Sequence, residues 1–293
     1  MAQLRDLRIL YEDGDCIAVE KIQGLSSEEA SGASMPSLLR AYRTEKGERD
    51  EIFPVHRLDL PTGGAILYAK TGEAAAVLSA SVMNREIGKC YLTVVCGAPS
   101  TEAGQLEDLL YHDKRQNKVF TVKSERKGAK KAILEYRVAE TVEHEGQILS
   151  LVEINLVTGR THQIRAQFAS RKWPVYGDRR YGARASLPGG AIALWSHALS
   201  FRTPSGAGQT LMSFPTDAFP WNLFASLSRA REAHQSENTD RSSVSYTVRK
   251  EAPKCSIQHL TRSCGRQTVK NIPRAGRPIS KRPCAISTKT AVP

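Results

Sequence analysis

The stretch His56-Arg57-Leu58-Asp59-Leu60-Pro61-Thr62-Gly63-Gly64 constrains this chain more than any other. Pro61 fixes its own backbone, and the glycines admit positive φ and the close approach of another backbone. The apolar run from Ala65 to Ala69 follows at once. A constrained turn therefore feeds directly into a strand, with Asp59 on the turn. Rigid scaffolds commonly present functional side chains in such places. For an arbitrary aspartate, the simpler role is to accept backbone N–H groups in the turn.

Short extended runs dominate the remaining pattern. Asp13-Gly14 marks a turn between two strands within residues 8–20, and Met35 to Tyr42 has helical spacing. Thr71 is placed to cap a helix that runs to about Glu86. Cys90 to Cys96, Val119 to Val122, Ala132 to Val138, Ile148 to Leu156 and Ile192 to Phe201 read as strands. Gly104 to Leu110 is ambiguous. A helix is expected from about His162 to Ser170, with Thr161 as its cap. Ile164 and Phe168 then face the core, while His162 and Arg165 share another face. A cation at a helix start is disfavoured by the dipole and wants an anion; Asp59 is the candidate.

Charge is unevenly spread. The chain carries 42 Lys+Arg against 30 Asp+Glu, net +12. Residues 229–293 hold 14 and 4 of these, leaving 28 and 26 in residues 1–228. The balance is thus +10 in the tail and +2 in the body. Within the body, Lys114, Arg115, Lys118, Lys123, Arg126, Lys127, Lys130 and Lys131 cluster. They suit either phosphate contact or a solvated hairpin surface.

No apolar run reaches the ~20 residues of a membrane span, and the N-terminus lacks the pattern of a secretion signal. The expected compartment is the cytoplasm. The six cysteines form no C-x-x-C pair, so they are expected to be reduced thiols and no structural metal is expected. A P-loop and a Gly-x-Ser-x-Gly elbow are both missing from the sequence. An aspartate held by an arginine stays ionised and can serve as nucleophile or base, and a nearby tyrosine can stack on a ring or move a proton. Such parts suit chemistry on a polar planar substrate.

Three motifs in order make the chain resemble the RluA-type pseudouridine synthases. His56-Arg57-Leu58-Asp59 with Thr62 and Gly64 is similar to the family's catalytic loop. Lys89-x-Tyr91 is similar to its tyrosine motif. Thr158 to Arg165, with Pro174, Gly177-Asp178 and Tyr181-Gly182, is similar to its third motif. Leu10 to Asp13 with Lys21 and Gly24, and His197-Ala198-Leu199, extend the match over roughly residues 8–224.

The resemblance implies an α+β fold. A central, mostly antiparallel mixed β-sheet would be flanked by helices and loops in a single catalytic domain, residues 1–228, with a basic, disordered tail at 229–293. It implies an RNA pseudouridine synthase, an isomerase acting on ribosomal or transfer RNA without metal or organic cofactor. Asp59 would be the nucleophile, Tyr91 would stack on the base, and Arg165 would orient Asp59. Arg57 would help extrude the target nucleotide. His56, Thr62, Arg160 and His162 complete the RNA-contacting set, with the two histidines in structural roles. A monomer is expected.

Two departures stand out. Gly63 occupies a position that is usually Ser in the family, and fewer than 60 residues precede Asp59 in this sequence, so a separate N-terminal RNA-binding domain is not expected. Substrate choice is then expected from the body, through its basic hairpin at 112–131. The rivals are a catalytically silent RNA-binding or RNA-folding protein on the same fold, and a hydrolase pairing Asp59 with a histidine.

Overall fold

The structure, a computed structural model, describes residues 3–240. In chain order its strands are β1 (Arg8–Glu12), β2 (Cys16–Lys21), β3 (Phe53–Pro54), β4 (Gly63–Ala69), β5 (Gly88–Cys96) and β6 (Ala103–Asp113). They continue with β7 (Lys118–Val122), β8 (Ala129–His144), β9 (Gln147–Leu156), β10 (Leu194–Arg202) and β11 (Gly208–Met212). The helices are α1 (Met35–Glu45), α2 (Gly72–Met83), α3 (Gln163–Ser170) and α4 (Ala225–Asp240).

The strands form one sheet in the order β1-β2-β4-β10-β5-β9-β8-β6-β7, with β3 added on β4 and β11 on β10. Only the β4–β10 pairing is parallel among those described. The expected mixed, mostly antiparallel sheet in an α+β domain is therefore present. All described residues lie in one compact unit.

Both sheet faces are covered, which explains why β4 is buried at all seven positions rather than alternating. On one face, Tyr91, Ile154, Ile66 and Tyr68 pack with α1 residues Met35 and Leu39 and α3 residues Ile164 and Phe168. Burying a side chain such as Ile164 or Phe168 contributes about 1.5–3 kcal/mol. On the other face, Ala65 and Leu67 meet Ala74 and Leu78 of α2, while Leu92 and Val94 share a cluster with Phe224, Leu227 and Ala230. β6 and β7 meet the other flank of α3 through Leu110, Val119 and Ala166.

Several expectations are corrected. Gly104 to Leu110, ambiguous in sequence, belongs to β6, and α2 ends at Met83. The boundary drawn at Arg229 falls inside α4, whose Leu227 and Ala230 are buried. A stripe in which Ala230 is the second apolar residue is too weak to show as periodicity. Residues 241–293, most of the expected tail, lie outside the described residues. Cys16 and Cys96 are free thiols; Cys255, Cys264 and Cys284 lie outside the described residues.

Candidate active site

Strand register brings the first two motifs together. Lys21 of β2 pairs with Gly64 of β4, Gly64 with Ser196 of β10, Ser196 with Tyr91 of β5, and Tyr91 with Ile154 of β9. This row crosses the sheet at the point where the Asp59 turn enters β4. Paired residues point to the same face, so Tyr91 and Ile154 share the face that α3 covers.

The Asp59 turn is pinned from beneath. The Thr62 N–H donates to the Asp59 carbonyl at 2.9 Å. The fully buried Lys21 ammonium donates to the carbonyls of Ile22, Leu60 and Thr62 at 3.2, 3.0 and 2.7 Å. Gln23 Nε2 adds a bond to the Pro61 carbonyl at 2.8 Å. Burial pushes the Lys21 pKa down to about 8, although the charge of Asp59 opposes the shift. Gly64 has φ 104°, and a Cβ there would strike the Ser196 backbone. Close approach of β10 therefore requires glycine.

Arg165 lies on α3, in its first turn. Its Nη1 donates to Asp59 Oδ2 at 3.0 Å, while Nε and Nη2 hold the two carboxylate oxygens of Asp178 at 2.6 and 3.0 Å. The side chain of Asp59 is 15% exposed, whereas those of Arg165 and Asp178 are 5% and 1% exposed. Burial alone would lower the Arg165 pKa. Asp178 and then Asp59 outweigh it and hold the pKa above its ordinary value. A bidentate, desolvated pair fixes the guanidinium plane and leaves one N–H to orient the more accessible carboxylate.

His162 sits just before α3 with φ 50°, a left-handed conformation uncommon outside glycine. It occupies the cap position expected for Thr161 but makes no capping bond. Gln163 ties the turn instead, its Oε1 accepting from Thr158 Oγ1 and the Arg160 N–H, both at 2.9 Å. His162 Nε2 lies 3.8 Å from Asp59 Oδ2, and its Nδ1 is 3.0 Å from the Tyr181 hydroxyl. Burial lowers the pKa of His162, against the pull of Asp59. Tyr91 is buried; that burial, then the charge of Asp59, raises its pKa, so the phenol keeps its proton near neutrality.

The chain is similar to known proteins in sequence and in fold. The RNA pseudouridylate synthase family model matches residues 15–170, more than half of the chain. The chain belongs to the RNA pseudouridylate synthase family. Its members are isomerases that act on RNA. It is 32% identical over 210 residues to "Uncharacterized RNA pseudouridine synthase YlyB" of Bacillus subtilis, covering 70% of this chain and 67% of that protein. It is also 32% identical over 193 residues to "Ribosomal large subunit pseudouridine synthase D" of Vibrio cholerae, covering 65% of this chain and 57% of that protein. Part of each relative's length thus has no counterpart in the match. The solved structure of human RNA pseudouridylate synthase domain containing 1 shares the fold. Its TM-score is 0.63 at 22% identity, with 77% of this chain and 89% of that chain covered.

Against the family pattern, Gly63 has a local cause. A Cβ at this position would run into the Trp195 ring and the Gln23 side chain. Trp195 is buried and donates from Nε1 to Ser213 Oγ at 3.0 Å. Serine at 63 is therefore incompatible with this tryptophan in place.

The remaining candidates separate. His56 Nε2 accepts the Leu67 N–H at 3.1 Å, and burial drives the His56 pKa well below its ordinary value; it is a neutral anchor of β4. Thr62 is buried and its hydroxyl has no partner among the described residues, so it shapes the turn rather than facing a ligand. Arg57 is exposed and pairs with Glu28 at 2.8 Å. Arg160 is exposed and donates to the Lys131 carbonyl at 3.1 Å. Sequence reasoning placed Asp178, Lys21 and Tyr181 in family motifs but gave them no role. Their separation from Asp59 along the chain hides the contacts. Among the described residues no His, Cys, Asp and Glu group is arranged to hold a metal ion, and no helix is long and apolar enough to cross a membrane.

Proposed function

We propose that Asp59 is the nucleophile with which this chain converts uridine to pseudouridine in structured RNA. The observation that carries the reading is the Asp59–Arg165 bond at 3.0 Å, made by an arginine already immobilised by Asp178. A carboxylate so oriented, and still partly open to solvent, has the reach for attack on a base or ribose brought to it.

Asp59 attacks the ribose or the base, and the bond between ribose carbon 1′ and uracil nitrogen 1 breaks. The uracil rotates and rejoins through carbon 5. The hydrogen of carbon 5 leaves as a proton, nitrogen 1 takes one up, and Asp59 is released. Tyr91 stacks on the base. Arg165 acts through Asp59 by orienting it. Arg57 helps extrude the nucleotide, an act that requires it to leave Glu28. Arg160 contacts the backbone nearby. His56 and His162 are structural, since each has a ring nitrogen bonded to the protein. That use of the rings also weighs against a hydrolase with a histidine base. Ribosomal RNA is the first substrate class to assay, in view of the named ribosomal relative. The protein works as a cytoplasmic monomer.

The test uses RNA tritiated at uridine carbon 5, taken from a strain lacking the protein. Release of tritium to solvent by wild type, and none by Asp59→Asn, is the expected result. Equal release by both would remove Asp59 from the chemistry. Binding by both without release would favour the silent RNA-binding protein.

A further inference from the structure

One proton beside Asp59 can be placed from the bonds around it. Tyr181 is buried, and its hydroxyl sits between two partners. The Val119 N–H donates to it at 2.8 Å, and His162 Nδ1 lies 3.0 Å away. A backbone N–H can only donate, so the first bond leaves the phenol's own proton to be placed. Among the described residues, His162 Nδ1 is the one acceptor within reach of that hydroxyl. Were Nδ1 itself protonated, the phenol oxygen would accept twice and a buried O–H would go unpaired, which is costly. The satisfied arrangement has Tyr181 donating to Nδ1. Burial lowers the His162 pKa and favours the neutral ring, which then carries its proton on Nε2.

That proton faces the proposed nucleophile. Nε2 lies 3.8 Å from Asp59 Oδ2, the oxygen that already accepts from Arg165 Nη1 at 3.0 Å. Asp59 Oδ1 has no hydrogen-bond partner among the described residues. One oxygen therefore faces two N–H groups, and the other is left for a bond to substrate. At 3.8 Å the histidine contact is one of charge with dipole, and contacts of this kind tighten when substrate is seated.

A single short turn holds both donors. The Tyr181 N–H closes it on the Asp178 carbonyl at 3.0 Å. Asp178 fixes the Arg165 guanidinium, and Tyr181 fixes the His162 ring, which it meets edge-on with centroids 5.8 Å apart. The ring needs such a hold. His162 has a left-handed backbone at φ 50° and makes no capping bond, and a conformation of that kind persists where its surroundings over-determine it.

We propose that Tyr181 is a positioning residue for Asp59. By donating to His162 Nδ1 it locks the Nε2–H tautomer against Oδ2, so that Oδ1 is the oxygen that attacks. The inference rests on the pseudouridine synthase reading only for what Oδ1 attacks. It also gives His162 the role of a donor to Asp59, since a protonated Nε2 cannot take up a proton on that side of the ring.

The test uses the full chain with nitrogen-15 in its histidines. NMR at pH 8 reads which ring nitrogen is protonated, and loss of a signal in His162→Gln assigns His162. The Nε2–H form is expected in wild type and equally in Asp59→Asn, because Tyr181 sets it. Adding Tyr181→Phe to Asp59→Asn should partly average the two nitrogen shifts. Nδ1–H in wild type, or averaging in Asp59→Asn alone, would overturn the lock, and neither measurement depends on a Tyr181 variant folding. Tritium release from RNA reads the consequence. Tyr181→Phe should lower kcat about tenfold with KM unchanged, because orientation of a reacting group is lost rather than binding. In a His162→Gln background the same change should alter kcat by less than about twofold. An equal loss in both backgrounds would mean that Tyr181 acts through the fold alone, and would overturn the positioning role. A locked Nε2–H tautomer without any tritium release from wild type would uphold the lock and reject the catalytic reading instead.

Discussion

Arg165 gives Asp178 two hydrogen bonds, at 2.6 and 3.0 Å, and Asp59 one, at 3.0 Å. The residue with no ascribed chemistry therefore holds the arginine more fully than the proposed nucleophile does. A buried cation needs a permanent counter-ion, and the carboxylate that is to react cannot be the sole one.

This division predicts different costs for the two carboxylates. Asp178→Ala should destabilise the fold by about 3–5 kcal/mol, the range for stranding a buried charge. Asp59→Asn leaves Arg165 paired and should cost about 1 kcal/mol or less. Urea unfolding of the two variants checks the ranking. Equal costs would mean that Asp59 is itself a structural counter-ion.

Lys21 predicts a rise in stability with pH. Its folded pKa, pushed down to about 8, lies below the ordinary lysine value of 10.5. Below pH 8 both folded and unfolded states carry the proton, and the full penalty of burying the charge is present. Between about 8 and 10.5 the unfolded state binds more protons, so stability climbs as pH rises. The gain is at most about 3 kcal/mol. Burial shifts Lys89 in the same sense, to about 8, so the readout is a difference. Lys21→Met should climb less steeply than wild type in urea midpoints across this window. Parallel curves would show that Lys21 does not titrate there.

Gly63 and Trp195 should be energetically coupled. Gly63→Ser alone is expected to cost about 1–3 kcal/mol, the usual penalty of overpacking. In a Trp195→Leu background the same change should cost less, because the clash is gone. A double-mutant cycle in thermal or urea unfolding measures the coupling. Simple additivity would place the reason for glycine elsewhere.

The end of the folded part can be located by truncation. Ala230 is buried, Arg231 donates to Asp217 at 2.8 Å, and the His234 and Phe214 rings lie 5.3 Å apart. A chain ending at Asp240 keeps these contacts and should retain the stability of the full chain. One ending at Ser228 should lose about 1–3 kcal/mol through exposure of apolar surface around Phe214 and Phe224. Both should bind RNA with a flatter salt dependence than the full chain, since 241–293 holds twelve Lys+Arg and one Asp+Glu. Equal stability of the two truncations would restore the boundary at Arg229.

The sequence by itself determined the local pieces. Pro61 and Gly64 impose a turn and an entry into β4 through backbone sterics alone. Thr71 caps α2 as expected, accepting from the Ala74 N–H at 3.1 Å. Ile164 and Phe168, four apart, face the core because helix geometry puts them on one side. The same spacing argument, applied to His162 and Arg165, brings both toward Asp59.

Only the tertiary structure decided which pieces meet. β10 lies between β4 and β5, so Ser196 separates Gly64 from Tyr91 in the row beneath the site. No periodicity encodes that insertion, since it depends on burying both faces of a strand from late in the chain. Lys21 is anchored to carbonyls 39 and 41 residues away, and Arg165 to a carboxylate 106 residues away. Such pairs form because a desolvated charge must find a partner within a few ångströms, and the fold determines which one is there. Thr161 failed as a cap for a related reason. Gln163 satisfied the turn, and His162 took a left-handed backbone toward Asp59 and Tyr181. Local pattern set where the reactive groups sit along the chain, and long-range burial and charge pairing set what surrounds them.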